Sequence, residues 1–282
     1  MKYVTVNGVK LEHMPMLNRA VKAVLVAPLA NFLVPRSVIR WMVKRSGSEL
    51  LNHTLAAPGG WRSMIVAYED HPPTGYVDRI VCNYGILPMG LRNRRRLVGH
   101  MLGRMLGATS GRVNIVSIGA GVGSNILEPI SRAENSQIYA YCIDLAHEAF
   151  EYGRRACEKY GICDRVTYIQ GDANHVEQLI DVRPDIVTLL GLIEYLSDEQ
   201  VTRILNSMYK AMDVGGQMLV NSLESAGGVE RFLRTVFDLH LSYRNEGRVR
   251  ELLSQCGFRV ERAEHEPTGI YSVIQASKPP VE

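Results

Sequence analysis

Cysteine is scarce and unpatterned in this chain. Its five residues, Cys82, Cys142, Cys157, Cys163 and Cys256, are odd in number and scattered, and no C-x-x-C occurs. That argues against a disulfide framework and a structural zinc site; no metal is expected, and the compartment read from it is a reducing cytoplasm. An excess of one charge is also missing. Thirty-two basic residues face 29 acidic ones, for a net charge of +3. Nucleic-acid-binding domains are usually far more lopsided, so no nucleic-acid partner is expected. A long apolar run is lacking too. The most apolar stretch, residues 20–45, is interrupted by Lys22, Asn31, Arg36 and Arg40 and broken by Pro28 and Pro35. A bilayer-spanning helix takes about 20 apolar residues in a row. Two short buried helices are expected there, with a surface-lying membrane contact as the lesser alternative. The start, MKYVTVNGVKLEH, is polar and strand-like, unlike a signal peptide. Internal repeats and low-complexity segments are not found.

What is present is ample core material: 46% of residues are hydrophobic and 22% charged. The 282 residues fit one large α/β domain, or a domain of roughly 170 residues behind a smaller one. The pattern changes near residue 110. Before it, periodicity is helical, as at Val38, Trp41 and Met42, and helix resumes over about Arg92 to Leu106. After it, strands and helices alternate. Strands are expected at Val113 to Ile118, Gln137 to Ile143, Val166 to Gln170, Ile186 to Leu190, Gln217 to Asn221, Phe258 to Ala263 and Ile270 to Ala276. Helices are expected at Ser124 to Ala133, Ala146 to Tyr160 (ended by Gly161) and Glu199 to Met212. The division is therefore 1–110, a helical lid or substrate region, and 111–282, a nucleotide-fold domain. Such alternation builds a parallel sheet with helices on both faces, and ligands sit beyond the carboxyl ends of its strands.

One turn lies at that location. VNIVSIGAGVGSNILEPI, from Val113 to Ile130, carries Gly119, Gly121 and Gly123 as G-x-G-x-G. Glycine lets the backbone turn tightly and approach a ligand closely. Dinucleotide-binding proteins use nearly the same turn, so it does not decide the ligand alone. The next strand ends in Asp144, where a carboxylate can accept from both ribose hydroxyls and would repel a 2′-phosphate. The third strand runs into Gly171-Asp172-Ala173, and an acceptor there can meet an adenine amino group.

Taken in order, VSIGAGVGS, YCIDL, QGDA, DIVTLLGLIEYLSD, GGQMLVNS and CGFRVERA resemble the motifs of class I S-adenosylmethionine-dependent methyltransferases. The likeness covers about residues 112–278. The pairing of GLIEYLSDEQ with TGIYSVIQAS is similar to a bacterial methyltransferase group with a helical N-terminal part. The resemblance implies a Rossmann-like, doubly wound α/β fold: a seven-stranded sheet whose last strand is antiparallel, preceded by a helical lid. It implies S-adenosyl-L-methionine as cofactor. Gly119, Ala120, Gly121 and Gly123 would pass along it, Asp144 and Leu145 would flank the ribose, and Asp172 and Ala173 the adenine. Leu192 and Ile193 would line the site. On the segment before the domain, Tyr76 or Arg79, three apart and so on one helix face, would bind the methionine carboxylate.

Methyl transfer needs alignment, exclusion of water and sometimes removal of a proton. Candidate catalytic residues are Glu194, Tyr195 and Tyr76. Glu194 can act as a base or hold a cationic acceptor, or it can simply start a helix facing solvent. Asn221 can bond an acceptor or be a plain strand end, and His71 is read as an exposed loop residue. Arg92, Arg94, Arg95 and Arg96 read as a solvated face rather than an anion site. No Y-x-x-x-K of a nicotinamide oxidoreductase and no Asn/Asp-Pro-Pro-Tyr of a base methyltransferase is present. The expected function is methylation of a small molecule. The alternative is attack on the cofactor's carboxypropyl arm, with release of methylthioadenosine. A cofactor-binding regulator is a third reading. Membrane contact is not expected, and the oligomeric state, a homodimer included, stays open.

Overall fold

The structure, a computed structural model, describes residues 2–15, 18, 28–70, 73, 75–225 and 229–280. His71 and residues 20–27 of the apolar segment lie outside the described residues. Contacts group the chain into two compact units. The first joins residues 1–96, 224–241 and 266–271; the second joins 97–223, 242–265 and 272–282. The units thus interleave along the chain, where the sequence reading drew a single cut at residue 110.

The first unit opens with an antiparallel hairpin, β1 (Lys2–Val6) and β2 (Val9–His13). Asn7 and Gly8 form its turn, both at positive φ, as two-residue hairpin turns require. Helices Arg36–Arg45, Glu49–Ala56, Trp61–Ala67 and Tyr76–Tyr84 follow, and Val229–Phe237 joins them from later in the chain. Asp78 is fully buried and acts as a cap supplied from a distance. Its carboxylate accepts from the Glu49 amide at 2.8 Å and the Leu50 amide at 3.2 Å, so it satisfies orphan donors at a helix start.

The long helix Ile86–Gly107 begins six residues before the expected Arg92. Pro88 hides that start in the sequence, but a first turn has no use for its missing N–H. The arginine cluster on this helix is not the solvated face expected. Arg92 and Arg94 are each only 3% exposed. Arg92 grips the buried Glu12 through two bonds of 2.7 and 2.6 Å, and Arg96 adds a third at 2.7 Å. Arg94 donates to the Tyr68 hydroxyl at 2.6 Å. Asn93 donates to the Glu12 carbonyl and accepts from its amide, which locks β2 to the helix. Burial alone would raise the Glu12 pKa; the bonds and charge of Arg92, with Arg96, outweigh it and hold the carboxyl below its ordinary value.

The second unit is a seven-stranded sheet with the order β5-β4-β3-β6-β7-β9-β8. Its strands are β3 (Val113–Ile118), β4 (Ile138–Asp144), β5 (Val166–Gln170), β6 (Ile186–Leu189), β7 (Gln217–Asn221), β8 (Arg259–His265) and β9 (Ser272–Ser277). The first five run parallel, and β9 enters antiparallel between β7 and β8. All four residues of β6 are buried, as a central parallel strand requires. Val116, Ile118, Val187, Leu189, Met218 and Val220 form the middle of the core. Gly161 ends helix Glu148–Tyr160 at φ 67°, the left-handed cap the sequence indicated.

Two boundaries and one further helix differ from expectation for identifiable reasons. Helix Leu127–Arg132 starts later than Ser124, because Gly123 sits at φ 85° and the chain from Ala120 to Ile126 runs in successive turns. β9 starts at Ser272 rather than Ile270, because the Glu266 carboxylate takes the amides of Ile270 (2.8 Å) and Tyr271 (3.2 Å). Helix Glu246–Gln255 went unread; Asn245 caps it through the Arg248 amide at 2.8 Å.

Candidate functional site

Strand order reverses at β3, whose neighbours are β4 and β6. The crevice of a doubly wound sheet opens at such a switch point, beyond the carboxyl ends of the strands. The loops after β3, β4, β5 and β6 are where the second unit carries its predicted site residues.

The β3 loop is bent by its glycines. Gly119, Gly121 and Gly123 all have positive φ, at 67°, 53° and 85°, a region that L side chains rarely adopt. A Cβ on Gly119 would lie 2.8 Å from the Leu192 Cβ, so the loops after β3 and β6 pack without space between them. Gly191 continues the pattern at φ 75°.

Asp144, half-buried at the end of β4, fastens this loop. Its Oδ2 accepts the Gly121 amide at 2.7 Å and its Oδ1 accepts the Ala146 amide at 2.9 Å. Each carboxylate oxygen can accept a second bond, so the bracing leaves acceptor capacity for a ligand diol. Beside it, Leu145 is 66% exposed. At the end of β5, Asp172 is exposed; its Oδ1 accepts from both nitrogens of Asn174 at 2.9 Å. Those bonds hold its pKa below the ordinary carboxylate value. Ala173 begins the short 3-10 run that Asp172 caps.

After β6, a 3-10 turn spans Ile193–Tyr195. Ile193 is 1% exposed and belongs to the core, while Leu192 is partly buried against it. Glu194 does not face solvent, contrary to one of the two expectations for it: it is 4% exposed. Its Oε1 accepts from the Asn221 Nδ2 at 2.9 Å. Asn221 in turn accepts the Gly191 amide at 2.8 Å, so this side chain at the end of β7 pins the β6 loop at two places. Tyr195 is 43% exposed.

Two positioning residues escaped the sequence reading. Arg244 is 5% exposed; it donates to the carbonyls of Ile193 and Leu196 and to the Asp198 Oδ1, each at 2.6 Å. It holds the whole segment after β6, and nothing in its sequence surroundings signals this. Tyr168 donates to the Val122 carbonyl at 2.9 Å and so steadies the glycine loop from below. A signal for Tyr168 did exist. Gly153 lies inside a helix, where glycine costs about 1 kcal/mol against alanine and marks a close approach. A Cβ there would fall 2.2 Å from the Tyr168 hydroxyl.

In the first unit, Tyr76 and Arg79 share the exposed face of helix Tyr76–Tyr84, with Ile80, Asn83 and Tyr84. Tyr76 is 78% exposed, and Arg79 makes a long contact of 3.5 Å to the Pro73 carbonyl. Asp78 points the other way, as the buried cap described above. Among the described residues no group of three or more His, Cys, Asp or Glu is placed to hold a metal ion. No helix among them is long and apolar enough to cross a membrane.

Comparison with known proteins agrees with this arrangement. The chain is 30% identical over 139 residues to aclacinomycin 10-hydroxylase RdmB of Streptomyces purpurascens, covering 49% of this chain and 36% of that protein. It is 25% identical over 109 residues to a probable decarboxylating cobalt-precorrin-6B C(15)-methyltransferase of Saccharolobus solfataricus, covering 39% of this chain and 52% of that one. The match thus spans about a third to a half of those relatives' length. Among solved structures, magnesium protoporphyrin IX methyltransferase of Synechocystis, with bound S-adenosylhomocysteine, superposes with a TM-score of 0.58 at 13% identity. That likeness covers 86% of this chain and all of that one. A protein described as a possible exported protein from Bordetella parapertussis gives a TM-score of 0.69 at 18% identity, over 88% of this chain and 98% of that one. Residues 73–278 match the family described as "Putative methyltransferase". That span takes in every strand of the sheet, the braced glycine loop and Asp144, and the chain belongs to this family, within the class I S-adenosylmethionine-dependent methyltransferase superfamily.

Proposed function

We propose that the chain transfers a methyl group from S-adenosylmethionine to a small-molecule acceptor. The observation that carries the reading is the braced Asp144: a carboxylate at the end of β4, tied to the Gly121 and Ala146 amides, with a second acceptor position left on each oxygen.

The residues fit the cofactor. Asp144 takes the ribose hydroxyls, with Leu145 beside it. Asp172, oriented by its bonds from Asn174, accepts from the adenine amino group next to Ala173. Gly119, Ala120, Gly121 and Gly123 give a surface with little side-chain bulk, and Leu192 offers an apolar wall with the buried Ile193 behind it in the core. Bound there, the cofactor supplies an electrophilic methyl on a sulfonium sulfur. The protein's share is to place and prepare the acceptor. Glu194, set by Asn221, takes the acceptor's proton or holds a cationic acceptor by charge. The exposed Tyr195 offers a hydroxyl close by in sequence. Tyr76 and Arg79 are our candidates for the cofactor's carboxylate, on the strength of their shared exposed face.

A small molecule is preferred over a nucleic acid because the charge is balanced, with 32 basic residues against 29 acidic. The five cysteines are all free, which favours the cytoplasm. Calorimetric titration of S-adenosylmethionine and of NAD into the protein tests the cofactor: heat with the first alone is expected, and binding of NAD alone would refute it.

A further inference from the structure

We propose that helix Arg36–Arg45, with the residues just before it, docks on the surface of an anionic lipid bilayer. The sequence led us to expect buried helices here. Instead the helix is apolar on two opposite faces. Ile39 and Val43, one turn apart, pack against Leu233, Val236 and Phe237, and the Arg40 Nε donates to the Val236 carbonyl at 2.5 Å. That contact satisfies one face.

The other face is open. Trp41 and Met42 are each 55% exposed and Val38 is 42% exposed; at i, i+3 and i+4 they share one side. Phe32 and Leu33, just upstream, are 70% and 69% exposed. Five large apolar side chains at water within 11 residues exceed the scattered exposure normal for a soluble surface.

The charges on this helix are of one sign. Arg36, Lys44 and Arg45 are exposed on the same helix. The Arg45 guanidinium lies 4.8 Å from the Trp41 ring centre and that of Arg231 lies 4.5 Å from Phe32. No Asp or Glu occurs between Glu12 and Glu49. Aromatic and aliphatic groups fringed by Lys and Arg are what a helix lying in the plane of an anionic interface presents. A second copy fits less well. A two-fold interface sets a patch against itself, so these cations would face each other with no acid to offset them.

The test uses the full chain with Trp61→Phe, which leaves Trp41 as the only tryptophan. Phosphatidylcholine vesicles with and without phosphatidylglycerol are titrated, reading co-sedimentation and Trp41 emission. Sedimentation with the anionic vesicles only, a blue shift of Trp41 and loss at high salt are expected. Lys44→Glu with Arg45→Glu, which alters exposed side chains only, should weaken binding by about twentyfold or more. Trp41→Ser with Met42→Ser should abolish it, with circular dichroism unchanged. Absence of binding to anionic vesicles, or binding that survives both double variants, overturns the proposal. So does a dimer in light scattering that the Trp41 and Met42 variant dissociates while vesicles are ignored; that result assigns the face to a second copy.

Discussion

The Asp144 carboxylate accepts the Gly121 amide at 2.7 Å, and this bond joins the loop after β3 to the end of β4. It ties backbone shape to the proposed binding, since the glycine turn is held in place by the residue we propose for the ribose. Asp144→Ala should weaken S-adenosylmethionine binding by about 10- to 100-fold, the worth of one or two charge-assisted hydrogen bonds. Calorimetry on the variant checks it. An unchanged affinity would remove Asp144 from the site.

Gly119 is fixed both by its φ of 67° and by Leu192 at 2.8 Å from a Cβ. Gly119→Ala should lower stability by about 1–3 kcal/mol and cofactor affinity with it. Adding Leu192→Gly removes the clashing Cβ but not the backbone strain, so the double variant should recover only part of the affinity. Thermal melts with and without cofactor separate the two terms.

Glu194→Gln keeps the shape of the buried side chain and removes its charge. We expect kcat to fall by about 100-fold or more with little change in cofactor affinity. A variant with full activity would make Glu194 a purely structural partner of Asn221.

Arg244 ties down three acceptors after β6. Arg244→Ala should destabilise the fold by about 3 kcal/mol, because buried carbonyls lose charged donors. Denaturant melts measure this. Cofactor affinity should drop less than in the Asp144 variant.

Glu12 gives the fold a pH dependence. Its folded pKa lies below the ordinary value. The stability that follows is therefore complete above the unfolded pKa of about 4.3 and is lost as pH falls through the folded value. Glu12→Gln should cost about 3 kcal/mol at neutral pH, since it leaves the buried Arg92 with only the more distant Glu69 carboxylate, at 3.6 Å, and should flatten the acid limb of the melting curve.

The sheet was legible because each strand announces itself. β-branched runs such as Val113–Ile118 and the all-apolar Ile186–Leu189 end at glycine or aspartate, and the order of those endings carries the fold. The first unit was harder. Arg92 and Arg94 look solvated in a sequence, because their partners Glu12 and Tyr68 lie 80 and 26 residues away. Helices Val229–Phe237 and Glu246–Gln255 were overlooked between better-marked strands. Arg244 is legible only in three dimensions, since its work is done through the backbone carbonyls of Ile193 and Leu196, whose positions no spacing rule reports.

The most direct test of methyl transfer is a product assay by mass spectrometry. The purified chain is incubated with S-adenosylmethionine, with and without a small-molecule extract of cells, beside the Asp144→Ala variant. S-adenosylhomocysteine is expected from the native chain only when extract is present, and far less from the variant. Methylthioadenosine formed from the cofactor alone would contradict it, and would make the carboxypropyl arm the group under attack.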